Sequence, residues 1–142
     1  MPSDATRSVT LTRTGPGTFL AENARGGTLT LAAGGAGATD FSPVELLLVG
    51  IAGCSGIDVD ALTSRLAEPL TFTMTASGDK VRDEHGNHMG PITVTVSVDF
   101  PEGPDGDRAR DRLPDAVEKS RDRLCTVSRT VQLSAPVTYE LR

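Results

Sequence analysis

From Ser42 to Leu62 the chain carries one long apolar run that constrains everything around it. Ser42-Pro43-Val44-Glu45 reads as a helix start. The Ser hydroxyl can cap free amides, Pro suits the first helical position, and Glu three residues after Ser completes a capping box. The run continues through Leu46, Leu47, Leu48, Val49, Ile51, Ala52, Cys54, Ile57, Val59 and Leu62, apolar nearly all round. That pattern predicts a long buried central helix. Gly50, Gly53 and Gly56 fall three apart within it. Each costs about 1 kcal/mol against Ala in a helix interior, so a neighbouring backbone is expected close along that stripe. A chain of 142 residues is too small to cover such a helix alone, which predicts a homodimer. Glu45 and Asp58 interrupt the run, and its most apolar part is short for a membrane span, so no membrane role is expected.

The remaining composition narrows the function classes. Fourteen Lys plus Arg stand against nineteen Asp plus Glu, a net charge of -5. That balance repels phosphate backbones, and with aromatics at 4% and no Trp there are few platforms for base stacking. Nucleic acid is therefore not an expected partner. The first twelve residues hold no apolar signal-peptide core, so the protein is expected to be cytoplasmic. No linker or repeat divides the chain, and 1–142 is read as a single domain.

Three short strands are expected before the helix: Val9, Leu11 and Arg13 alternate with threonines, and further strands follow at 18–22 and 28–31. A Gly- and Ala-rich loop at 32–39 leads into the helix. After it, Phe72, Met74 and Ala76 alternate with threonines, and Ile92, Val94, Val96, Val98 and Phe100 share one strand face. These two strands read as antiparallel and covered on one side, joined by a long link at 78–91. A short charged helix at 105–112, a second helix from Pro114 towards Cys125 and a closing strand at 131–141 complete the pattern. The order β-β-β-α-β-β-α-α-β is an α+β layout.

Two cysteines carry the candidate chemistry. Cys54 lies inside the apolar helix and Cys125 where the later helix ends, 71 positions apart. They read as small core hydrophobes or as a redox pair, and no CxxC spacing decides between these. Arg121, Arg123 and Arg129 stand near Cys125 and could lower its thiol pKa. His85-Gly86-Asn87-His88 reads as a solvated turn, not a metal site. No nucleotide-binding glycine motif and no Ser-His-Asp set is present, and no cofactor or metal is expected. Asp58 and Asp60 sit two apart, hence on different helix faces, and read as the solvated end of the helix.

Ser42-Pro43-Val44-Glu45-Leu46-Leu47-Leu48 followed by Gly53-Cys54, together with Cys125-Thr126-Val127-Ser128, resembles the two cysteine segments of the OsmC/Ohr family. The β-rich start, element order and length agree, so the resemblance covers nearly the whole chain. It implies the OsmC-like fold, with antiparallel sheets around the central helix of an intertwined homodimer and active sites at the subunit interface. It further implies a thiol-dependent peroxidase acting on organic or lipid hydroperoxides. Cys54 would be oxidised to a sulfenic acid and Cys125 would condense with it to a disulfide. A dithiol reductant of lipoyl type, or a small thiol, would restore both.

The pattern departs from the hydroperoxidases at one place. There a Glu directly follows the Pro and pairs with a catalytic Arg; here Val44 follows Pro43 and Glu45 comes one residue later. One residue is a rotation of about 100° on a helix. Arg13 matches best the position of the Ohr-type catalytic Arg, with Arg25 as a second candidate. The expected site is therefore Cys54, Cys125, Arg13 and Glu45. The shift resembles a less characterised OsmC-like branch, and the alternative it implies is a non-catalytic protein that binds a hydrophobic ligand or senses oxidants in the interface pocket.

Overall fold

A computed structural model describes residues 5–34 and 37–142. The chain forms two compact units, Met1–Leu47 and Leu48–Arg142. In the first, β1 (Val9–Gly15), β2 (Thr18–Asn23) and β3 (Thr28–Ala32) make an antiparallel meander in the order β1-β2-β3. Gly17, at φ 65°, lets the chain reverse between β1 and β2. The β1–β2 register shifts between Arg13 and Gly15, a bulge that re-aims neighbouring side chains. Phe41 bridges to Leu31 just before α1 (Pro43–Thr63) begins. Of the loop expected at 32–39, Gly35 and Ala36 lie outside the described residues.

In the second unit, β4 (Thr71–Ser77) pairs antiparallel with β7 (Thr93–Asp99). Phe72, Met74, Ala76, Val94, Val96 and Val98 are half-buried, and the residues between them are exposed. This is the expected one-sided sheet. The core gathers Ile51 and Val59 of α1, Phe100 after β7, and Ala109, Ala116 and Cys125. Gly56 meets Met74 of β4 and Gly50 meets Val127. Side chains, not the expected backbone, therefore fill the glycine stripe, and nothing lies near Gly53 among the described residues.

The structure corrects the expected element order in three places. The link at 78–91 holds a hairpin, β5 (Lys80–Asp83) and β6 (Gly86–Met89), whose polar residues gave no alternation to read. Pro114 does not start a helix. It lies inside α2 (Pro104–Lys119), because the buried stripe Gly106, Ala109, Ala116 runs at helical spacing on either side of it, and packing outweighs local propensity. The closing strand at 131–141 is absent. After a π-helical turn (Ser120–Leu124), α3 (Thr126–Leu133) continues until Ser134 adopts the left-handed conformation that ends it. Val127 and Val131, four apart, favour that helix. Beyond it no described residue is in a strand, and Val137, Tyr139 and Leu141 are exposed.

Within one chain α1 is buried only at Ile51, Val59 and Thr63, and Ile57 is 73% exposed. The all-round burial expected of this helix is therefore not met by a single copy. By length and composition alone α1 could cross a membrane.

Candidate functional site

The site is built from α1 and the segment that joins α2 to α3. Cys54 and Asp58 stand four apart on α1, about one turn up the same face. Cys125 faces them from the N-cap of α3. The two sulfurs and a carboxylate oxygen of Asp58 all lie within 4.8 Å of one another. Both cysteines are free thiols; Cys125 is buried and Cys54 half-buried.

Ser120 holds this arrangement from beneath. Its carbonyl accepts the Cys125 N–H at 2.9 Å, the bond that defines the π-helical turn. Its hydroxyl donates to Asp58 Oδ2 at 2.8 Å. One buried residue thus fixes the backbone of one site member and the side chain of another. π-Turns of this kind recur at functional sites.

Both sulfurs sit at the N-terminus of α3, where unpaired amides favour negative charge. Burial acts to raise the Cys125 thiol, but hydrogen bonds from Ser128, Ser55 and Cys54 outweigh it and leave the thiol below its ordinary value. The Ser128 N–H is 3.4 Å from Cys125 Sγ. Cys54 is shifted the other way. Burial raises its thiol against the pull of the Val127 and Thr126 amides, and the neighbouring Cys125 adds to the rise. The Cys54 thiol thus lies above its ordinary value and the Cys125 thiol below it, each shifted in part by the other. The agents are serines and α3 amides. Arg121, Arg123 and Arg129, which stand near Cys125 in sequence, are not among the causes of its shift.

Arg13 and Glu45 lie in the first unit. Arg13 is an exposed β1 residue beside the bulge. Glu45 Oε1 accepts from the Ser42 N–H at 2.9 Å while its own N–H donates to Ser42 Oγ at 3.3 Å. This is the expected capping box, and it holds the Glu45 carboxyl below its usual range. Among the described residues neither Arg13 nor Arg25 forms an ion pair with Glu45. His88 of the β5–β6 hairpin pairs with Asp83 at 2.9 Å.

The sequence reads Asp58 as the solvated end of the helix, Ser55 as a hydroxyl without a base and Ser128 only as part of the Cys125 segment, and it gives Ser120 no role. The Cys54-x-x-x-Asp58 spacing was the available signal for the first, since it places both groups on one helix face.

Residues 34–140 match the family described as OsmC-like protein. The chain belongs to the OsmC-like family. Solved structures share the fold. A hypothetical protein from Aquifex aeolicus VF5 is 26% identical with a TM-score of 0.70, covering 92% of this chain and 89% of that one. An OsmC-like protein of unknown function from Vibrio cholerae is 12% identical with a TM-score of 0.65, covering 90% and 94%. The organic hydroperoxide resistance protein OhrB of Bacillus subtilis is 20% identical with a TM-score of 0.57, covering 88% and 90%. No curated protein matches the OsmC-like chain. What sets its site apart from an isolated pair of buried thiols is that two cysteines, far apart in sequence, meet over a fixed carboxylate, an arrangement consistent with a redox role.

Proposed function

We propose that the protein reduces organic or lipid hydroperoxides with its two thiols and is recycled by a dithiol of lipoyl type or by a small thiol. The observation that carries this reading is the approach of Cys54 and Cys125 within 4.8 Å at the N-terminus of α3. Once one proton has left the pair and the other rests on Cys125, Cys54, the more accessible sulfur, makes the attack. Its thiolate takes the terminal peroxide oxygen, the O–O bond breaks, and Cys54 becomes a sulfenic acid. The departing alkoxide takes the proton from Cys125 and leaves as the alcohol. The Cys125 thiolate then attacks the Cys54 sulfur, forming the disulfide and expelling hydroxide. Two electrons leave the thiol pair and enter the peroxide.

The same reading makes the active form a cytoplasmic, intertwined homodimer. The exposed apolar face of α1, including Val49 and Ile57, and the alternating exposed Val137, Tyr139 and Leu141 support it. A second copy would cover the helix and offer the terminal segment a strand partner. A single species at monomer mass in light scattering refutes this part.

The decisive test is intact mass after stoichiometric cumene hydroperoxide. Reduced wild type should lose two hydrogens and regain them with a dithiol. Cys54→Ser should stay unchanged, and Cys125→Ser should stop at the sulfenic acid. Unreacted thiols in wild type favour instead a family member that binds a hydrophobic ligand. Oxidation surviving Cys54→Ser assigns the attack to Cys125.

A further inference from the structure

We propose that reduced Cys54, Asp58 and Cys125 form a three-ligand site for a zinc-class divalent cation. The three donor atoms come from two separate elements and already lie within 4.8 Å of one another. A tetrahedral zinc ion with Zn–S bonds of about 2.3 Å and Zn–O bonds of about 2.1 Å needs donors roughly 3.6–3.8 Å apart. The required closure is about 1.2 Å at most, within reach of small side-chain rotations on a fixed backbone.

The donor set selects the ion. Two thiolates disfavour magnesium and calcium, which take oxygen ligands. The carboxylate in turn disfavours the softest ions, leaving a borderline cation such as zinc. The surroundings are those of a prepared ligand set. Ser120, itself buried, donates to Asp58 Oδ2 and orients the carboxylate, as outer hydrogen bonds do for metal ligands. The Ser128 N–H orients the Cys125 sulfur in the same way. A divalent ion allows both thiols to ionise. Three protein ligands leave a fourth position for water or an incoming thiol.

This inference does not depend on peroxide chemistry, and its test uses no peroxide. The full reduced chain is titrated with zinc alone against a chromophoric zinc indicator, without oxygen, and cobalt is substituted to read thiolate-to-metal charge transfer. The expected result is one zinc per chain, a thiolate–cobalt absorption band, and slower alkylation of both thiols in the presence of zinc. Cys54→Ser, Cys125→Ser and Asp58→Asn should each weaken binding tenfold or more. His88→Ala should leave it unchanged, since the hairpin histidine belongs to a separate surface pair. Zinc binding that survives both Cys54→Ser and Asp58→Asn, or a reduced wild type with no thiolate–cobalt band, overturns the proposal. If Asp58→Asn fails to fold, the wild-type cobalt spectrum and the cysteine variants decide the matter.

Discussion

Replacing Ser120 by Ala removes the hydroxyl that donates to Asp58 at 2.8 Å and leaves the Ser120 carbonyl bond to Cys125 in place. A hydrogen bond to a charged acceptor contributes about 1.5–3 kcal/mol to stability. Asp58 is only half-buried, so water can replace part of the lost bond, and the expected cost is at the lower end, about 1.5–2 kcal/mol. With a urea slope of about 1–3 kcal/mol/M, the midpoint should fall by roughly 1 M. Equilibrium urea unfolding of the reduced protein at one fixed concentration measures this, because association would otherwise shift the midpoint. Asp58→Ala closes the cycle: if the two side chains act through one bond, the double variant should fall short of the summed single effects by about 1 kcal/mol or more. Additivity within about 0.3 kcal/mol refutes the claim that Ser120 holds the site through Asp58.

Gly106→Ala should be among the most destabilising single-methyl additions in the second unit, at about 2–3 kcal/mol. Its Cβ would overlap the Pro101 carbonyl oxygen, and a midpoint shift under about 0.3 M contradicts this. Cys54→Ala should move the Cys125 thiol back up towards 9.0, because the Cys54 hydrogen bond that lowers it is lost. Cys125→Ser should move Cys54 down, because the neighbouring charge is gone; thiolate absorbance against pH reads both. Asp83→Asn should return the raised His88 pKa towards 6.5, followed by NMR titration. Any stability from that pair is present at acid pH and lost as pH rises through the raised value. Glu45→Gln should weaken the capping box above the usual carboxylate range, and the difference from wild type should vanish as pH falls through the lowered Glu45 value. An unchanged thiol oxidation rate in Glu45→Gln assigns Glu45 to helix capping alone.

Wherever side chains follow a period that survives local accidents, the sequence could be read. The capping box of Ser42 and Glu45 formed as its spacing implied. The alternation at Phe72–Ala76 and Val94–Val98 became the paired strands β4 and β7. Elements held by polar turns or by packing alone could not be read. The β5–β6 hairpin shows no apolar face beyond half-buried Val81 and Met89. Pro114 reads as a helix boundary, yet the stripe on either side of it shares one buried face. The cysteines stand in recognisable motifs, whereas Asp58 pairs in the sequence pattern with Asp60, two residues on, and so reads as solvated. Its neighbour in the fold is Cys54, one helical turn before it. Of the serines beside the thiols, Ser128 falls within the Cys125 segment, whereas Ser55 and Ser120 carry no motif. Ser120 and Ser128 act through the path of the backbone at 120–128, which becomes visible only once the turn before α3 is known.

That turn has a consequence for how the site can be lost. Between α2 and Cys125 the chain winds once with a five-residue hydrogen-bonded step, Cys125 N–H to Ser120 carbonyl. The surplus residue acts as a phase adjuster. Deleting one of Arg121, Asp122 or Arg123, all exposed, would restore the ordinary pitch and swing everything after it by about 100°. Cys125 would then turn away from Cys54 although every residue of the site remained. The chemistry of this protein is thus encoded partly in a count, and an alignment that scores identities alone would not register its loss.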